Sequence, residues 1–219
     1  MAPEAEFAQQ VFEQMVEQGD LVLDKLDACV QRHPDKTYLH YGEDGVRLSF
    51  AEVKARSDRL AAGLVAMGLK PGEPVSVLTR NSLVSALAMF AIWRAGGVFA
   101  PVNFNFRGQL LSYQLNDTAP FALITDPSFA PVLAEVADEL KLQRLVVHTP
   151  KPGDHDDTEL SFDHVAQRFE IVPWEQLAQS DAAAPDIPRT PFDVANIVYT
   201  SGTTGPSKGV LQPFRWMNH

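Results

Sequence analysis

The chain has 219 residues, 45% hydrophobic and 21% charged, a balance that sets it among globular proteins and apart from disordered ones. Its formal net charge of −10 works against non-specific association with nucleic acid or anionic membrane, since both are polyanions that repel it at long range. A single cysteine, Cys29, excludes an intramolecular disulfide framework and any multi-cysteine metal site; between Leu26 and Val30 it reads as a core residue in a reducing, cytoplasmic setting.

The opening "MAPEAEFAQQ" has neither the basic nor the apolar region of a secretory signal. Phe7, Val11, Phe12, Met15 and Val16 then form one apolar stripe at helical spacing, expected to dock on the body of the protein, and a second helix over 21–33 stops before Pro34. After strands "TYLHY" and "VRLSF" comes the clearest helix start in the chain, a capping box of Ser49 and Glu52 followed by Phe50, Val53, Leu60, Leu64 and Met67 on one face. The pattern then alternates: strand "PVSVLT", helix 82–95, strand "VFAPV", helix 108–116, strand "FALIT", helix 127–140 and strand "RLVVH". Such alternation predicts an α/β fold, a parallel sheet flanked by helices. The apolar run "LVSALAMFAIW" is well short of the roughly 20 residues a membrane span needs and reads as a buried helix.

Two irregular stretches follow. "TPKPGDHDDTE" is acidic enough to suggest calcium, but Glu159 stands where an EF-hand loop needs glycine and no ligand glutamate follows at the required distance. Asp156 and Asp157 are therefore expected to solvate a loop, and His33, His40, His148, His155 and His164, without metal-ligand spacing, to be ordinary core or surface residues. Trp93 is expected in the core, and Trp174 and Trp216 in the core or at an interface. "QSDAAAPDIPRTPF", with Pro185, Pro188 and Pro191, reads as an extended connector leading to a strand, "VANIVYT". These breaks divide the chain into a helical lead (1–34), an α/β subdomain (35–178), a Pro-rich connector (179–192) and a strand with a glycine-rich loop (193–219).

That loop, "YTSGTTGPSKGV" (199–210), carries the chemistry. Glycines free successive backbone N–H groups to converge on an anion, hydroxyls add donors, and Lys208 brings a mobile positive charge. A Walker loop requires glycine directly before the lysine, Ser or Thr directly after it, and then a helix; here Ser207 precedes, Gly209 follows, and "GVLQP" reads as a strand. Gly205-Pro206-Ser207-Lys208-Gly209 satisfies G-x-S-x-G, but a nucleophile elbow runs into a helix and needs an acid and a histidine downstream, where the only histidine is His219 and no acid occurs.

"IVYTSGTTGPSKG" resembles, position by position from Ile197 to Lys208, the phosphate-binding signature of the AMP-binding, adenylate-forming synthetases and ligases, with Ser207 where proline is commoner. "LSFAEVKARSDRLAAGLVAMGLKPGEPVSVLTRNS", "FAIWRAGGVFAPVNF" and "LSYQLNDTAPFALITD" extend the resemblance over nearly the whole chain. Two positions depart from it: Phe104 follows Asn103 where the family often has proline, and Phe214 stands where many members have a histidine close to the acyl substrate.

The resemblance implies a partial N-terminal domain of an adenylate-forming enzyme, acyl-CoA ligase-like. Such an enzyme joins a carboxylic acid to ATP, releases pyrophosphate and passes the acyl group to coenzyme A. Gly202, Thr203, Thr204 and Gly205, with Ser201, would hold the β- and γ-phosphates, Lys208 would neutralise the departing pyrophosphate, and Thr200 would contact Mg²⁺ (Mg2+). No catalytic residue is assigned within the chain. Family members run to more than twice this length, so the 219 residues alone are expected to be inactive. The alternative is a shortened, non-catalytic interaction module. The expected partner is a carboxylic acid substrate, with no nucleic acid and no integral membrane segment; a homodimer is left open.

Overall fold

The computed structural model describes residues 6–7, 9–11, 13–14, 21–200 and 207–218. A two-stranded antiparallel hairpin, β1 (Thr37–Tyr41) and β2 (Val46–Ser49), stands beside a seven-stranded sheet. The sheet contains β3 (Pro74–Leu78), β4 (Val98–Pro101), β5 (Ala122–Thr125), β6 (Arg144–Val147), β7 (Glu170–Pro173), β8 (Val194–Thr200) and β9 (Lys208–Pro213). Its order is β7-β6-β5-β3-β4-β8-β9, with every pair parallel except β8–β9. The α/β expectation holds.

The helices are α1 (Val22–Arg32), α2 (Phe50–Ala66), α3 (Ser82–Arg94), α4 (Gly108–Thr118), α5 (Ala130–Val136) and α6 (Trp174–Ala178). The capping box forms as read: the Glu52 N–H donates to Ser49 Oγ at 3.2 Å, and the Ser49 N–H donates to Glu52 Oε2 at 2.8 Å. At α3 the Asn81 side chain accepts from the N–H groups of Leu83 and Val84, both at 3.1 Å. No helix among the described residues is long and apolar enough to cross a membrane.

Strand alternation sorts the core into two layers, because successive side chains leave opposite faces of the sheet. Val75, Val77, Ile124, Val146 and Val172 pack with Val53, Leu60, Leu64 and Trp93 of α2 and α3. Leu78, Leu123, Leu145 and Val147 pack with Leu111, Leu115, Leu133 and Val136 of α4 and α5. Strands covered on both sides read as continuous apolar runs, as "ALIT" and "RLVV" do.

Four expectations need correction. The helix expected over 127–140 is broken into a 3₁₀ turn (Pro127–Phe129), α5 and a second 3₁₀ turn (Ala137–Glu139). Pro131 has no N–H and its ring clashes with a preceding helical turn, so it is tolerated only in the first turn of α5 and the α-helix cannot extend back to Pro127. Strand β7 and helix α6 fill a stretch with no predicted element; they are four and five residues long, too short for a readable period. Of the first apolar stripe, Phe7 (69% exposed) and Val11 face solvent rather than docking, while Phe12, Met15 and Val16 lie outside the described residues. Cys29 is only half-buried, Trp93 and Trp174 are in the core, and Trp216 is exposed.

The proline-rich connector lets the chain cross from β7, at one sheet edge, to β8 beyond β4. It is pinned on the way. Ile187 packs on Gly96, whose φ of +82° suits glycine, and Arg189 Nη2 donates to the Gly97 carbonyl at 2.7 Å.

Gly63 of α2 sets the depth at which α6 seats: a Cβ there would lie 2.8 Å from the Leu177 Cα, a backbone atom that cannot swing away. Alanine is normally the better helix former by nearly 1 kcal/mol. Here overpacking should prevail, and Gly63→Ala is expected to lower the unfolding free energy by about 1–2 kcal/mol in urea titrations. An unchanged or raised urea midpoint would show that α6 yields.

Candidate functional site

In open parallel sheets, ligands gather at the carboxyl edge, outside the crevice where strand order reverses. Here β3 leads to β4 on one side and β5 flanks β3 on the other, so the reversal lies between β3 and β5. That crevice is already filled. Asp126, 2% exposed, accepts at Oδ2 from Thr79 Oγ1 (2.8 Å) and the Arg80 N–H (3.2 Å), and at Oδ1 from the Ser128 N–H (3.0 Å) and hydroxyl. With both oxygens engaged, this carboxylate ties β3 to β5 and is spent on structure.

The described residues that flank the glycine-rich segment, Thr200 and Lys208, sit at the same edge, on the far side of β4 from β3. Strand β8 runs parallel to β4, so its end at Thr200 emerges on the carboxyl side, and β9 returns antiparallel from Lys208. Lys208 opening a strand excludes both the Walker loop and the nucleophile elbow, each of which needs a helix there.

Thr200 and Lys208 are aligned partners at the mouth of this hairpin, and both are exposed. Directly opposed residues of an antiparallel pair share a face, with Cβ atoms roughly 5 Å apart. The hydroxyl and ammonium expected to serve Mg²⁺ and pyrophosphate therefore rise side by side. Ser201, Gly202, Thr203, Thr204 and Gly205 lie outside the described residues.

Tyr199 decides which face this is, and the sequence reading did not single it out. Its hydroxyl donates to Asp117 Oδ2 at 2.6 Å and accepts from Thr118 Oγ1 at 3.1 Å, both on α4. Burial, aided by the Asp117 carboxylate, pushes its pKa up to about 12. With Tyr199 on the α4 side, alternation turns Thr200 and Lys208 to the α3 side. Gly209, opposite Tyr199, leaves room for the ring: a Cβ there would come within 3.2 Å of Tyr199 Cζ.

On that α3 side, over the ends of β3 and β4, lies an open groove of about 720 Å³ lined by Thr79, Arg80, Ser82, Met89, Phe99 and Phe104, among others. Arg80 is exposed and brings a second cation to this edge. Of the two departures from the family pattern, Phe104 borders the groove and is 48% exposed. Phe214 is wholly buried and meets Trp93 edge-on at 5.7 Å, a core residue rather than a groove wall.

Residues 26–217 match the family model described as AMP-binding enzyme. Feruloyl-CoA synthase from an Amycolatopsis species is 32% identical over 178 residues, covering 81% of this chain and 30% of that protein. Surfactin synthase subunit 2 from Bacillus subtilis is 29% identical over 187 residues, covering 84% of this chain and 4% of that one. The chain thus spans less than a third of the length of these relatives. A long-chain-fatty-acid-CoA ligase from Archaeoglobus fulgidus superposes with a TM-score of 0.68 at 22% identity, over 88% of this chain and 36% of that one, a likeness of fold.

The anchoring of the hairpin is open to test. Tyr199→Phe removes two hydrogen bonds, one of them to a charged acceptor, and should cost about 1–2 kcal/mol of stability. A raised tyrosine pKa means that stability is full below the unfolded value and lost as pH rises through the folded one, here between about pH 10 and 12. Ultraviolet titration should accordingly lose a late-ionising step in Tyr199→Phe; an unchanged titration would break the link to Asp117.

Proposed function

The chain belongs to the AMP-binding enzyme family, and from that premise we propose that it supplies the phosphate-holding part of an ATP-dependent acid:CoA ligase. In the reaction proposed, a carboxylate oxygen attacks the α-phosphorus of ATP, and the bond to the β-phosphate oxygen breaks to release pyrophosphate. The thiol of coenzyme A then attacks the acyl carbonyl, giving a thioester and AMP. Charge is the main obstacle, because an anionic acid must approach an anionic triphosphate in a protein of net charge −10. Fixed donors and cations must be concentrated where charge accumulates.

The observation that carries this reading is the alignment of Thr200 with Lys208 at the mouth of the β8–β9 hairpin, on the face that bears the groove. Gly202, Thr203, Thr204 and Gly205, with Ser201, complete the cradle through backbone and hydroxyl donors. Lys208 holds the pyrophosphate as it leaves, as a point charge on a flexible stem. Thr200 supplies a hydroxyl oxygen to Mg²⁺, which when bound offsets phosphate charge. A carboxylic acid is the substrate.

The 219 residues alone should not complete the reaction, since they span under a third of the length of feruloyl-CoA synthase. Acid-dependent exchange of pyrophosphate into ATP by this chain is expected to stay at background across a panel of aryl and fatty acids; exchange above background would refute that. The cradle itself has a separate readout. Pyrophosphate with Mg²⁺, titrated into the labelled chain, should shift the amide resonances of Thr200 to Gly209, and Lys208→Ala should weaken the effect about tenfold, the loss of one charge-assisted contact. Shifts that map elsewhere, or are unaltered by Lys208→Ala, would overturn the assignment.

A further inference from the structure

A second cluster of ligating side chains lies away from the phosphate hairpin. Asp44, in the turn between β1 and β2, meets His155 and Asp156 from the loop after β6, across 111 residues of sequence. One ligand atom from each lies within 4.8 Å of the others. His155 Nδ1 stands 3.0 Å from Asp44 Oδ2 and 3.6 Å from Asp156 Oδ1.

Asp156 is the telling member. Expected to solvate its loop, it has a side chain only 8% exposed. Its Oδ2 accepts from Asn81 Nδ2 at 3.0 Å, whereas Oδ1 is buried with no hydrogen-bond partner. An unpaired buried carboxylate oxygen is costly, and 3.6 Å from the ring nitrogen is too long for a hydrogen bond to meet that cost. A proton on His155 Nδ1 would serve Asp44 and leave Asp156 Oδ1 as it is. An ion between the three would serve all of them.

We propose that Asp44, His155 and Asp156 form a site for a divalent first-row transition ion, best suited to Zn²⁺, that ties the loop after β6 to the β1–β2 hairpin. Bonds of about 2.0–2.2 Å set neighbouring ligand atoms roughly 3.0–3.5 Å apart, close to the two spacings found. An imidazole ligand favours zinc and its neighbours over magnesium or calcium. The groups behind the ligands are in place. Asn81 fixes Asp156, the His155 N–H donates to Asp44 Oδ1 at 2.8 Å, and the Tyr41 hydroxyl lies 2.9 Å from His155 Nε2 and 3.3 Å from Nδ1, against the imidazole that would bind the ion. The site does not depend on the proposed ligase reaction.

The test is calorimetric titration of Zn²⁺ into the tag-free 219-residue chain after chelator treatment. One ion per chain is expected, bound at least about tenfold more weakly by Asp156→Asn and by His155→Ala. Asp156→Asn keeps the shape of the side chain and an acceptor for Asn81, so it decides the matter even if His155→Ala fails to fold, with circular dichroism as the control. Co²⁺ gives an independent readout: visible ligand-field bands in the wild type that are lost in Asp156→Asn. No stoichiometric ion, or equal affinity and equal Co²⁺ spectra in wild type and Asp156→Asn, would overturn the proposal.

Discussion

A buried hydrogen bond is central to how the β8–β9 hairpin is seated on the sheet. Trp93, 2% exposed on α3, donates its indole N–H to the Ala195 carbonyl of β8 at 3.0 Å. The ladder between β4 and β8 has a single aligned pair, Phe99 with Asn196, so the backbone alone joins the hairpin to the sheet weakly. Side chains make the join. Phe214, wholly buried just after β9, meets Trp93 edge-on, the Arg189 guanidinium lies 5.6 Å over the Phe214 ring, and the same guanidinium holds the Gly97 carbonyl. The connector, the turn before β4 and the hairpin are thereby locked into one corner of the core.

This corner also shows what could be read from the sequence and what could not. Strands β3, β4, β5, β6 and β8 and helices α1 to α4 were legible because each carries its own local signal: an apolar run, a capping box, a helical stripe. The glycine-rich loop stands out in the sequence by its dense local pattern of glycine, hydroxyl and lysine, though only its flanks, Thr200 and Lys208, are among the described residues. Tyr199 was not. Its role depends on α4, some 80 residues earlier, coming to lie against β8, and a tyrosine in a strand has no distinguishing pattern. Asp156 was misjudged for the same reason. In sequence it belongs to an acidic loop; in the fold, Asn81 draws it into the interior.

Charge explains why the placement matters. The chain carries 28 acidic residues against 18 Lys and Arg, so its far field repels a nucleotide and only local arrangement can attract one. Some acidic groups are paired with cations close at hand, Asp27 and Asp58 with Arg94 and Asp58 also with Lys54, while Asp126 keeps its charge but is held by hydroxyl and amide donors. Lys208 and Arg80, by contrast, are exposed at the carboxyl edge, where a phosphate can reach them.

The reversal of strand order at β3 and β5 would be the default ligand crevice in such a sheet, but Asp126 makes it unsuitable for an anion: a buried carboxylate bound on both oxygens offers only negative charge to phosphate. An anion site at β8 and β9, as proposed, avoids that carboxylate and has a freedom that a parallel pair lacks. An antiparallel hairpin can present two residues from opposite ends of one loop as direct neighbours, whereas parallel strands need a long crossover to return. Thr200 and Lys208 are neighbours for that reason, and the single antiparallel pair among the described strands of the large sheet is where the proposed site sets a hydroxyl beside an ammonium.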